Sequence, residues 1–76
     1  MAEQSAQQNI VGPQVGRLRQ ARGWSQDDLA GRLQRLGWDI SRGTLAKIEA
    51  QIRCVTDREL LLLARALKVR IDDLYP

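Results

Sequence analysis

The chain has 76 residues, a formal net charge of +3, one cysteine and no histidine. That size suits a single small domain, and one cysteine excludes an internal disulfide. The sequence also lacks a His/Cys metal cluster, a glycine-rich phosphate loop and an apolar run near the roughly 20 residues of a membrane span.

Residues 1–11 begin with a polar stretch that lacks the basic and apolar regions of a signal peptide, and they read as a disordered tail. The folded domain is expected over residues 12–76. Gly12-Pro13 places proline at a first helical position, where its missing N–H matters least. Val15, Leu18 and Ala21 supply an apolar seam, and Gly23 stops this helix, predicted over 13–22. Ser25 is an N-cap residue with Asp28 three positions on, the spacing of a capping box. Leu29, Ala30, Leu33 and Leu36 then form a stripe along a second helix, 26–36, ended by Gly37. Trp38 and Ile40 anchor the connection that follows.

Ser41 caps a third helix, 42–50. Its apolar seam is thin: Leu45 and Ile48 point inward, while Arg42, Gly43, Ala46, Lys47 and Ala50 fall largely on the other side. Thr56 and Glu59 form another capping box, opening a fourth helix over 57–67 with Leu60, Leu61, Leu63, Ala64 and Leu67 available to the core. A short fifth helix follows, with Ile71 and Leu74 inward. No strand pattern or internal repeat interrupts this all-α, five-helix reading. Cys54 reads as a buried free thiol, which suits a reducing compartment.

Charge is unevenly spread. Residues 13–53 carry eight cations against four acids, whereas residues 54–76 carry four of each. A local basic surface suits a polyanion. The second and third helices, each with an inward stripe and a tight connection between them, outline a helix-turn-helix. A helix that enters the DNA major groove needs one narrow seam to its domain and an outer face able to reach bases and phosphates. The third helix meets both requirements.

The stretches "RLRQARGWSQDDLAGRL", "SRGTLAKIEA" and "DRELLLLARALKVRIDDLY", in that order, resemble the Cro/phage-repressor-type helix-turn-helix family, also called the xenobiotic-response-element type. The likeness spans residues 12–75. It implies a lambda-repressor-like domain, with Arg42, Gly43, Thr44 and Lys47 facing bases. It also implies phosphate contacts from Gln26, Ser25, Ser41 and Arg53, although Ser25 can equally serve its own helix as a cap. Arg19 and Glu49 match a structural pair joining the first and third helices. One departure is a longer stretch between Leu33 and Ser41, read as an extra turn on the second helix plus a lengthened connection.

The expected function is a sequence-specific double-stranded-DNA regulator, most simply a cytoplasmic, nucleoid-associated repressor. A weak homodimer on a palindromic operator is expected, using Val69, Ile71, Leu74 and Tyr75. An antitoxin that binds a protein partner and represses its own promoter is the alternative. A pure interaction module would leave acidic or blank residues where Arg42 and Lys47 stand. No enzyme, cofactor, metal or membrane role is expected. Asp72 and Asp73 are adjacent, and helical neighbours do not face each other.

Overall fold

Each helix begins where a side chain replaces the missing backbone acceptors of its first turn. The computed structural model describes residues 7–76, so the expectation of a disordered tail over residues 1–6 lies outside the described residues. Within them run α1 (Gly12–Ala21), α2 (Gln26–Arg35), α3 (Arg42–Glu49) and α4 (Asp57–Leu67), followed by a 3₁₀ turn at Ile71–Leu74. No strand occurs among the described residues. The expected fifth helix is therefore a single 3₁₀ turn. Lys68 ends α4 in the left-handed region at φ 58°, and the Arg70 N–H is then taken by the Asp73 carboxylate at 3.0 Å, which closes the tighter turn.

The Ser25 hydroxyl accepts the Asp28 N–H at 3.0 Å, and the Asp28 carboxylate accepts the Ser25 N–H at 2.8 Å. Those bonds to Ser25 hold the Asp28 carboxyl below its ordinary pKa. Thr56 and Glu59 make the same reciprocal pair at 3.2 and 3.0 Å. Ser41 accepts the Thr44 N–H at 3.1 Å. The α1 cap is different: the Asn9 side-chain oxygen accepts the Gly12 N–H at 2.7 Å.

The core draws Val15 from α1, Leu29 and Leu33 from α2, Leu45 and Ile48 from α3, Leu63 and Leu67 from α4, and Leu74 from the last turn. All are fully buried. Several expected positions depart from this pattern. Along α1 the buried stripe is Gly12, Val15, Gly16 and Arg19, at helical i, i+3, i+4 and i+7 spacing, while Ala21 is exposed. Leu36 follows the last residue of α2 and is exposed. Leu61 is rotated off the Leu60–Leu63–Ala64–Leu67 stripe, and Ile71 opens the 3₁₀ turn; both are exposed. Cys54 is also exposed, because it lies in the loop after α3, with its thiol 3.4 Å from the Gln8 side-chain oxygen.

Helix α2 stops at Arg35, so the added length lies in the connection 36–41. Gly37 reverses the chain at φ 97°, Ile40 is buried, and Trp38 packs against the core from a partly buried position. The Gln34 amide donates to the Ile40 carbonyl at 2.8 Å and closes the loop onto α2. The end of the expected tail is also structured. Gln8 donates its N–H to the Gln51 carbonyl at 2.8 Å, and Val11 is buried in the core. No helix among the described residues is long and apolar enough to cross a membrane.

Candidate nucleic-acid interface

Helix α3 is seated through its C-terminal end. Glu49 accepts two hydrogen bonds from Arg19, at 2.8 and 3.0 Å, and one from the Gln26 amide at 3.2 Å. A further Arg19 N–H donates to the Trp24 carbonyl at 2.7 Å. Arg19 is only 8% exposed, so its charge depends on this partner. The hydrogen bonds from Arg19 to Glu49 raise its pKa against the opposing effect of burial. One carboxylate thus joins α1, the start of α2 and the end of α3.

The close approach that permits this geometry comes from two glycines. A Cβ at Gly12 would collide with the Ile48 carbonyl oxygen, and one at Gly16 would sit 3.2 Å from a Glu49 carboxylate oxygen. Asn9 adds a strap. Its amide nitrogen donates to the carbonyls of Ile48, at 3.1 Å, and Arg53, at 2.8 Å, while its backbone carbonyl accepts from the Gln51 amide at 3.0 Å. These bonds satisfy carbonyls that a helix end leaves without intrahelical partners. Sequence reasoning missed Asn9, Gly12 and Gly16. The available signal was an Asn three residues ahead of Gly12-Pro13, which is N-cap chemistry.

The opposite end and outer face of α3 are open. Arg42, Gly43 and Lys47 are exposed, and neither cationic side chain has a hydrogen bond or ion pair among the described residues. Thr44 is partly buried, and its hydroxyl accepts from Ser41 at 3.1 Å. Ser25 is exposed and engaged in its cap. Gln26 reaches Glu49 rather than solvent alone. Arg53 is already occupied: it pairs with Glu59 at 3.0 and 3.2 Å and donates to the Cys54 carbonyl at 2.9 Å. Its guanidinium carbon is 5.9 Å from the centre of the Trp38 ring. The hydrogen bonds to Glu59 raise the pKa of Arg53 despite its burial. The fold therefore brings Arg19, Gln26 and Glu49 together and leaves Arg42, Gly43 and Lys47 facing outward. Arg53 is drawn to the start of α4. The described residues contain no group of acids and cysteine arranged to hold a metal.

Two helices joined by a connection, with the second sunk along one seam and bare along the other side, define a helix-turn-helix DNA-binding domain. The chain belongs to the helix-turn-helix family of Cro/phage-repressor type, whose model matches residues 15–74. This is a family of DNA-binding transcription regulators, typically non-enzymatic. Neither a curated protein nor a solved structure gives a significant match to the chain.

Proposed function

We propose that this protein is a sequence-specific regulator, most simply a cytoplasmic, nucleoid-associated repressor, that inserts α3 into the major groove of double-stranded DNA. The observation that carries the reading is the contrast within α3. Leu45 and Ile48 are fully buried, while Arg42 and Lys47 extend from the exposed side with no internal partner. Arg42, Thr44 and Lys47 would contact base edges, with Gly43 on the same face. An arginine there suits the O6/N7 edge of guanine. Gln26, Ser25 and Ser41, at the starts of α2 and α3, would bond phosphates, and Arg53 would do so from its Glu59-bound position. Residues 12–76, with residues 8–11 strapped onto them, would act as the binding unit, in a lambda-repressor-like arrangement whose fifth element is the 3₁₀ turn.

A single reading helix specifies few base pairs, so a weak homodimer on a palindromic operator is the arrangement that fits. Of the surface expected to carry it, Leu74 belongs to the core, whereas Ile71 and Tyr75 remain exposed. The antitoxin alternative keeps the same DNA face but needs a segment for its protein partner. Residues 8–11 bond α1 and the loop after α3, and Arg42 and Lys47 serve either reading in the same way.

Selection from a random duplex library tests this reading. A two-fold symmetric motif is expected, and Arg42→Ala or Lys47→Ala should each relax preference at defined positions, at about 1–3 kcal/mol per lost bidentate contact. Binding to any duplex with strong salt dependence and no enriched motif would show that the basic face holds the backbone without reading sequence.

A further inference from the structure

The fold explains four of the six glycines. Gly12 and Gly16 allow α1 to approach the end of α3, and Gly23 and Gly37 occupy the left-handed region at φ 72° and 97°. Gly31 in α2 and Gly43 in α3 have no such reason. A Cβ at Gly31 would meet nothing within 4 Å, and one at Gly43 would meet only the Ser41 hydroxyl oxygen at an ordinary 3.8 Å. Both have helical backbone that alanine adopts more readily than glycine. Their surroundings differ. Gly31 lines a shallow depression with Trp24, Asp27, Asp28, Arg32 and Arg35. Gly43 lies beside Arg42 and one turn before Lys47, on the exposed side of α3.

We infer that Gly43 is a steric specificity determinant: the space left by its missing side chain is filled by DNA, so that the α3 backbone comes within van der Waals contact of the groove. This rests on the proposal that α3 enters the groove. A glycine that weakens its own helix and serves no internal packing is consistent with a requirement from outside the molecule. The contact distance set at Gly43 would then place the Arg42 and Lys47 side chains at base edges. A longer residue would hold α3 outward and lengthen both contacts together.

Alanine substitution should therefore move stability and binding in opposite directions. Gly43→Ala should raise the thermal midpoint by about 2–5 °C. Its dissociation constant for the duplex enriched by the parent chain should rise roughly tenfold or more, because overpacking a tight contact forces its partners apart. Gly43→Val should lose more. Binding to a random-sequence duplex, dominated by phosphate contacts, should change by less than about twofold. Gly31→Ala is the control: a similar gain in midpoint with no more than about a twofold change on either duplex. If Gly43→Ala binds the enriched duplex as tightly as the parent, the inference is wrong. A lowered midpoint for Gly43→Ala overturns it too, because the fold would then need the glycine. If the parent chain enriches no duplex, the groove reading fails and takes this inference with it.

Discussion

At its C-terminal end α3 meets Asn9, Gly12, Gly16, Arg19 and Gln26, drawn from three other segments of the chain. At its N-terminal end the side-chain bonds are local, from Ser41 to Thr44. The helix is thus fixed like a cantilever, with one end built into the domain and the other bare. A reading helix benefits from this division. Polar groups at the fixed end set the direction of the helix, and Arg42 and Lys47 on its open side face solvent. The same residue types have opposite fates: Arg19 is satisfied within the fold, and Arg42 is not.

Variants at the two ends should separate accordingly. Glu49→Ala should have the largest effect, lowering stability by about 3 kcal/mol in chemical denaturation, because it leaves the buried Arg19 charge uncompensated. A loss below about 1 kcal/mol would mean water replaces Glu49 at little cost and the fixed end is not fixed by charge. Gly12→Ala should follow, at about 1–3 kcal/mol, since the new methyl group must push α1 away from the Ile48 carbonyl. Asn9→Ala should cost about 1–2 kcal/mol through the stranded carbonyls of Ile48 and Arg53. Amide exchange should then accelerate in the last turn of α3 and around Gln51, while the first turn keeps its rate.

Acid should act through the second Arg–Glu pair. Burial pushes the Glu59 carboxyl up, but hydrogen bonds from Arg53 and the Thr56 N–H outweigh it and leave the pKa lowered. The folded state therefore binds this proton less tightly than the unfolded chain does. The contribution is present above the ordinary glutamate value of about 4.3 and is lost as pH falls through the folded value. Glu59→Gln should flatten that acid limb of a stability–pH curve. The smallest effect on stability belongs to the free end: Arg42→Ala should stay within about 0.5 kcal/mol of the parent. A larger loss there would show that the bare end carries part of the fold.

The helix starts were legible because a cap is a local bargain between residues three apart. Ser25 with Asp28, Ser41 with Thr44 and Thr56 with Glu59 all form as their spacing predicts. The seam of α3 was legible for the same reason, since Leu45 and Ile48 lie one turn apart. The seam of α1 was legible only in part. Of the expected Val15, Leu18 and Ala21, Val15 is buried, Leu18 packs against the core and Ala21 is exposed; the other buried positions are two glycines and an arginine, which hydropathy does not mark. Leu61, Ile71 and Cys54 show the converse error, in which apolar character was read as burial although the backbone turned each residue outward.

By itself, the sequence determined four helices, the caps of α2, α3 and α4, most of the apolar stripe of α2, the two-residue seam of α3 and the surplus of cations before residue 54. These follow from short-range sterics, hydrogen bonding and periodicity. Tertiary structure decided the rest: that Gln26 joins Arg19 on Glu49, that Asn9 straps the end of α3, that Gly12 and Gly16 admit it, and that Arg53 turns to Glu59 while Arg42 and Lys47 stay free. Each of these contacts except that of Arg53 joins residues more than 20 positions apart. Only the packed chain brings such groups within hydrogen-bonding distance, and the loss of water from the junction makes their pairing obligatory.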